Sequence, residues 1–350
     1  MDVNNRQQDL LSLLTKDYDA LSRVQITEEL SKHYEVSRAT VIRDLQVLIG
    51  LGFAEAVGTG PATRYKATSV TRLMRPIDTD EYFSVAQDDR YLIGNDNDSF
   101  FDELGKTTLL TKKEIEQVDY SNTQYRSRLM TRTDDVYRRE LQRFTVELAW
   151  KSSRIEGNTY SLLETEELLR TLEGAPGRSE IETRMVLNHK VALDKIMEST
   201  QAYSPISIQA ILNLHEVLTD ELGISAGIRS QPVGIVGTNY LPAGDAETLM
   251  HELQRAVEIA NCKTHPVEAA LVMSGLIAYI QPFVDGNKRT ARMVANAMLL
   301  SSGYAALSYR SVDEIDYKKT VLLIDEQQSF LPYKKMFLDQ FAFATQNYFV

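Results

Sequence analysis

The sequence predicts a mainly α-helical protein with a small β-containing module at its N-terminus, on three observations. Helical spacing of apolar residues runs through Lys112–Trp150, Thr290–Leu300 and Ser311–Val350. The clearest β-type stretch, FAEAVGTGPATRYKA, flanks a Gly-Thr-Gly-Pro turn near the N-terminus. No repeat or low-complexity tract interrupts the pattern. A chain of 350 residues exceeds one ordinary core and predicts two or three domains. The single cysteine, Cys262, excludes an intrachain disulfide and fits a reducing interior. No apolar run reaches the roughly 18 residues of a membrane span. The acid and amides of MDVNNRQQDLLSLL are not the basic start of an export signal. A cytoplasmic protein with no membrane partner is expected.

Taken in order, Arg6–Leu14 has helical leucine spacing, and Ile26–Tyr34 comes next with Thr27 placed to cap a helix bearing Glu28 and Glu29. In VSRATVIRDLQVLIGLGF, Ser37 is an N-cap, Val41, Leu45 and Leu48 share a face, and Gly50 or Gly52 ends the helix. Helix, helix, capped helix and hairpin is the order of a winged helix-turn-helix, assigned to residues 1–72. The capped segment resembles the recognition helix of DeoR-type bacterial regulators. That resemblance implies DNA as a partner, with Ser37, Arg38, Thr40 and Arg43 entering a major groove and Arg64 and Lys66 on the wing near phosphates. The competing reading is a protein–protein contact. Net charge of −11 argues against a chain that coats nucleic acid, but the charge is uneven. Residues 1–75 hold ten Lys/Arg against nine Asp/Glu, whereas the remainder holds 28 against 40.

Residues 76–105 read as a connector that docks on the helical part C-terminal to it, because Tyr82, Phe83, Tyr91, Phe100 and Phe101 favour burial. Two tempting motifs fail. Gly105-Lys106-Thr107 lacks the glycine of a phosphate loop, which is Phe100 here, and His215-Glu216 lacks the second histidine of a zinc-protease pattern, which is Thr219. The five histidines have no metal-ligand spacing and read as surface or hydrogen-bonded helix residues.

IQPFVDGNKRTAR, residues 280–292, is different. An apolar helix, Ala270–Ile280, must stop near Pro282. A second helix begins after it, with Ala291, Val294, Ala295 and Met298 at core spacing. Gly286, Asn287 and Lys288 form its N-terminal entry, where free N–H groups make an anion nest. Arg289 and Arg292 share a face and offer two guanidinium forks to phosphate oxygens. Asp285 is placed to hold Mg²⁺ against a polyphosphate. Phe283 reads as a buried anchor.

This stretch resembles the signature of the Fic/Doc family, H-P-F-x-[D/E]-G-N-[G/K]-R-x-x-R, and departs only at the leading histidine. Ser152–Asn158, SSRIEGN, is similar to the family's inhibitory motif, with Ser152 and Glu156 one helical turn apart and Gly157 ending the helix. Ala226–Gly237, AGIRSQPVGIVG, resembles the segment leading into the target-aligning flap, which places Val233 and Ile235 on it. The resemblance implies a mainly α fold, a Fic-type helical bundle with a short β-hairpin flap. It further implies a connector and N-terminal helical part at 73–144, a core at 145–325 and a C-terminal helix at 326–350 packed on it. ATP and Mg²⁺ are the implied small molecules and a protein hydroxyl the implied target, with AMP the group transferred. Gly286 to Arg289 would hold the α- and β-phosphates and Arg292 the γ-phosphate, with Tyr317 near adenine. Glu156 would compete for Arg292. Family analogy also allows a homodimer.

Two departures matter. Gln281 stands at the position of the family's catalytic histidine, and a carboxamide cannot take a proton near pH 7. One base change converts a His codon to Gln, so an isolated loss amid an intact motif suits a recent or introduced change. Lys288 replaces the glycine of the commonest AMP-transferring members and also occurs in Doc, a kinase, although Doc has alanine at the Gly286 position. Four readings stay open: a weakened adenylyltransferase, a nucleotide-binding transcriptional regulator without catalysis, a Doc-like phosphotransferase, and an enzyme that removes AMP.

Overall fold

The computed structural model describes residues 4–16, 20–93 and 97–349. It opens with α1 (Asn5–Lys16), β1 (Leu21–Ser22), α2 (Arg23–Leu30), α3 (Arg38–Gly50), β2 (Ala54–Val57) and β3 (Arg64–Ala67). The strands form an antiparallel sheet in the order β1-β3-β2, with Ala54 opposite Ala67 and Val57 opposite Arg64. Leu10, Leu14, Ile26, Val41, Leu45 and Leu48 bury together beneath it. Ser37 caps α3, its hydroxyl accepting the Thr40 N–H at 3.2 Å. Thr27 does not cap α2. That helix begins four residues earlier, where Ser22 and Gln25 satisfy each other's backbone N–H groups in a capping box. Thr27 lies inside the helix and donates its hydroxyl back to the Arg23 carbonyl at 2.7 Å.

The connector continues through α4 (Ser69–Leu73), α5 (Thr79–Ser84) and α6 (Asn97–Lys106). Its residues 94–96 lie outside the described residues. Phe100 and Phe101 are buried and Tyr82 and Phe83 half-buried, whereas the Tyr91 ring is exposed. Tyr91 contributes its backbone instead, since its carbonyl accepts from Gln327 Nε2.

The helical part comprises α7 (Lys112–Met130), α8 (Asp134–Ile155), α9 (Leu162–Thr171), α10 (Glu180–Glu198), α11 (Ile208–Thr219), α12 (Ala246–Cys262), α13 (Pro266–Ile280), α14 (Asn287–Ser301), α15 (Glu314–Gln327) and α16 (Leu331–Asn347). Every residue of α13 from Val267 to Ile280 is buried. A helix apolar on all sides belongs at the centre of a large core, and α12, α14, α15 and α16 pack around it. The N-terminal module shares this core: Phe330 N–H donates to the Leu73 carbonyl at 2.6 Å, and Arg72 pairs with Glu103 at 2.9 Å. Among the described residues no helix is long and apolar enough to cross a membrane.

The antiparallel hairpin present in the fold is β2–β3. Residues 226–237, the segment read as leading into the flap, and the stretch on to 243 run without paired strands. Pro232 has no N–H to donate, and Gly234 and Gly237 weaken any ladder. The connector holds this segment in place of a partner strand. Arg90 donates to the Gly237 carbonyl, pairs with Glu326 at 3.3 Å and lies over the Phe83 ring, while Gln87 Nε2 donates to Asn239 Oδ1 at 2.9 Å.

Candidate functional site

The site is built at the junction of α13 and α14. Pro282 ends α13, and Gln281 turns the chain in the left-handed region, at φ 51°. The next five residues are pinned at both ends. Asn287, buried at the start of α14, accepts the Phe283 N–H and donates to the Phe283 carbonyl, both at 2.9 Å. Arg229 holds the other end: its N–H donates to the Pro282 carbonyl at 3.0 Å and its Nε to the Gln281 carbonyl at 2.8 Å. The loop's floor is Phe283, fully buried and stacked on the His215 ring at 3.7 Å. His215 Nε2 donates to the Asp285 carbonyl at 3.0 Å, and burial pushes its imidazole below the ordinary range, so the ring is a neutral support.

Gly286 takes φ 82°, and a Cβ there would sit 3.0 Å from the Thr219 methyl. Its N–H donates to Asp285 Oδ1 at 2.6 Å. The first N–H groups of α14 come next, at the positive end of that helix. Lys288 is half-buried, and its charge helps hold the Glu156 carboxyl low and partly opposes the burial that raises Asp325. Arg289 is buried, with Nη2 3.4 Å from Asp285 Oδ2 and Nη1 donating to the Leu218 carbonyl at 3.3 Å.

Arg292 meets the end of α8. Its Nε donates to Ser152 Oγ at 2.9 Å, its Nη2 to the Ser152 carbonyl at 2.8 Å, and Nη2 also lies 2.9 Å from Glu156 Oε1. Burial raises the Glu156 carboxyl, but Arg292, Lys288 and Arg289 outweigh it and hold it below the usual range. Arg292 Nη1 is buried without a hydrogen-bond partner among the described residues. Such an unmet buried donor suits an anion.

Most of the sequence-predicted residues therefore converge. Ser152 and Glu156, at the end of α8, meet Arg292, and Asp285 to Arg292 run through the loop and first turns of α14. Tyr317 is also here, but its ring is fully buried 5.1 Å beneath the Arg292 guanidinium, so it backs the arginine and presents no face to an open pocket. Val233 and Ile235 are half-buried on the flap segment, and Val236 between them and Gly237 is 97% exposed. Gln281 is 8% exposed, and its side-chain nitrogen folds back onto the Ala278 carbonyl. No sequence signal marks Arg229, a lone arginine in an otherwise uncharged run. None marks Asp325 either, whose buried carboxyl has no hydrogen bond on either oxygen among the described residues and is raised well above the usual range by burial.

On the N-terminal module, Arg38 and Arg43 are exposed on α3. Thr40 Oγ1 contacts Ser37 Oγ at 2.9 Å. Arg64 donates to the Ala20 carbonyl at 3.1 Å, and Lys66 pairs with Glu55 at 2.9 Å, so each wing cation already has one partner.

Among the described residues no cluster of three or more His, Cys, Asp or Glu can hold a metal. Asp285, its side chain 69% exposed, is a single carboxylate at the mouth of the nest. That donor set fits Mg²⁺, which keeps several waters and takes one or two carboxylates plus phosphate oxygens.

Residues 205–299 match the family model described as the Fic/DOC family. Over this stretch the chain is similar to the Fic/DOC family. Among similar proteins, one from Nematostella vectensis named protein adenylyltransferase Fic is 34% identical over 178 residues, 48% of this chain and 40% of the relative. The Drosophila melanogaster protein of the same name is 34% identical over 158 residues, 44% of this chain and 32% of the relative. The chain thus spans well under half the length of these relatives. Two solved structures share the fold. A Fic domain containing signaling protein from Bacteroides thetaiotaomicron has a TM-score of 0.57 at 21% identity, covering 65% of this chain and 95% of that one. Fic-1 from C. elegans, as a fragment, has a TM-score of 0.60 at 18% identity, covering 98% and 96%.

Proposed function

We propose that the Fic domain binds Mg-ATP in the Asp285–Arg292 cleft and is built to transfer AMP to a hydroxyl of a target protein, with catalysis weak or absent because Gln281 replaces the base. The observation that carries this is the state of Arg292: it sits at the head of an intact nest and is held by Ser152 and Glu156, the arrangement of an inhibited nucleotide site. In the reaction the target oxygen attacks the α-phosphorus, the bond to pyrophosphate breaks, and the hydroxyl proton needs an acceptor. Backbone N–H groups at the start of α14 and the Arg289 and Arg292 guanidiniums bind phosphate oxygens. Asp285 would hold Mg²⁺, which neutralises phosphate charge when bound. The flap at Val233 and Ile235 would align the target segment beside Gln281, whose carboxamide cannot take the proton.

Isothermal titration with Mg-ATP tests the binding half. Glu156→Gly is expected to tighten binding about 10-fold or more, because the competing carboxylate is gone. Equal affinity of the two proteins would sink the inhibitory role of Glu156. Incubation with γ-labelled ATP separates the Doc-like reading, since only phosphotransfer leaves that label on protein.

The N-terminal module is proposed to be a DNA-binding winged helix, on its element order and on the exposed Arg38 and Arg43. One observation favours a regulator that senses nucleotide: Arg90, in the connector from that module, clamps both the flap at Gly237 and α15 at Glu326. Binding to mixed-sequence DNA should fall with salt and drop about 10-fold or more on Arg38→Ala with Arg43→Ala. Unchanged binding by the double variant would remove α3 as the reading helix.

A further inference from the structure

His189 lies on α10, outside the signature and inhibitory motifs, and is fully buried against α8. Its Nδ1 is 2.8 Å from the Met185 carbonyl, its own helix's i−4 oxygen, and its Nε2 is 2.8 Å from Ser152 Oγ. A carbonyl only accepts, so Nδ1 carries the hydrogen and Nε2 is a lone pair. Ser152 must then donate its proton to Nε2, which leaves its oxygen lone pairs for the Arg292 Nε–H at 2.9 Å. Each partner's role is set by the next, from Met185 through His189 and Ser152 to Arg292. Burial drives the His189 imidazole down to about 3, and the nearby Arg289 and Arg292 charges push the same way. The ring therefore stays a neutral acceptor across the physiological range.

Guanidinium geometry gives this chain of bonds a consequence for the nest. Arginine grips a phosphate through a fork of two nitrogens, either Nε with one Nη or the two Nη groups together. Ser152 occupies Nε through its hydroxyl and Nη2 through its carbonyl, while Nη1 alone is unbonded. At least one member of each fork is thus already engaged by Ser152, before Glu156 is counted. Glu156 supplies charge to the same Nη2. Losing Glu156 alone leaves Ser152 still holding both nitrogens.

We propose that His189 is a positioning residue of the inhibitory latch: by orienting the Ser152 hydroxyl it keeps Arg292 turned to α8, in parallel with the Glu156 ion pair. This rests on the reading of the cleft as a Mg-ATP site. The latch then has a charged arm, Glu156, and a neutral arm, His189–Ser152, and the neutral arm ties it to α10.

Mg-ATP affinity of the full chain, measured by titration calorimetry, tests this without needing catalysis. Ser152→Ala and His189→Leu are each expected to tighten binding about 2- to 10-fold, the weight of one neutral hydrogen bond. The pair together should add little to either alone, because they act in series. Each should add to Glu156→Gly, because that arm is separate. His189→Gln keeps an acceptor facing Ser152 and should bind as the unaltered chain does, while a general packing role would leave Gln as disruptive as Leu. Tighter binding in Glu156→Gly with weaker or unchanged binding in both Ser152→Ala and His189→Leu overturns the relay and leaves the nucleotide reading standing. Absence of Mg-ATP binding in every variant, Glu156→Gly included, overturns the nucleotide reading and the relay with it.

Discussion

Replacing Gln281 by histidine in the Glu156→Gly background is expected to raise AMP transfer about 10²- to 10⁴-fold, the usual value of a positioned base. Transfer is read as α-label from ATP retained on protein. The loop that carries position 281 is already pinned by Asn287 and Arg229. The backbone also favours the change. Position 281 has φ 51°, and histidine is enriched among non-glycine residues in that left-handed region. Glutamine there spends its side-chain nitrogen on the Ala278 carbonyl, at the end of its own helix. An imidazole has no such long arm to fold back, and stays nearer the cleft. Gln281→Asn is the control, since asparagine suits the same backbone and still cannot take a proton. Equal gains in the His and Asn variants would mean that backbone fit, not base catalysis, limits the chain. No gain in the His variant would argue that the domain binds nucleotide without modifying proteins.

How far each feature is legible in the sequence depends on how local it is. α14 and its entry are readable because Gly286, Asn287, Arg289 and Arg292 act within one or two helical turns of each other, and spacing alone puts the arginines on one side. α13 is readable because an apolar run closed by Pro282 has few other fates. The Thr27 cap fails on a local signal as well: Ser22 and Gln25 make the stronger box three residues apart, and a threonine inside a helix can bond its own i−4 carbonyl. The partners that shape the site from a distance are not legible. Arg229 and His215 serve the loop across 52 and 70 residues of chain, and their roles are set by packing. The resemblance puts Tyr317 near adenine; its place under Arg292 depends on how α15 meets α14. The flap differs for a similar reason: its β-type residues have no strand to pair with, and the connector's Arg90 and Gln87 take that place.

Asn287→Ala is expected to show how much of the site is held by one amide. Asn287 is buried and closes the loop with two hydrogen bonds to Phe283, one donated and one accepted. Alanine leaves both Phe283 backbone groups unmet inside the protein, at about 1–3 kcal/mol each, so a loss of roughly 2–6 kcal/mol is expected in urea unfolding. Mg-ATP affinity should fall about 100-fold or more, since the N–H groups of the nest are aimed by that loop. The two losses can be separated with Asn287→Asp. Aspartate retains an acceptor for the Phe283 N–H but cannot donate to the Phe283 carbonyl, so it should recover part of the stability. It also places a negative charge in the proposed phosphate nest, so it should recover none of the affinity. If Asp and Ala lose affinity only in proportion to stability, Asn287 serves the fold alone. If Asp folds better yet binds no better, the amide's neutrality belongs to the phosphate site as well as its hydrogen bonds.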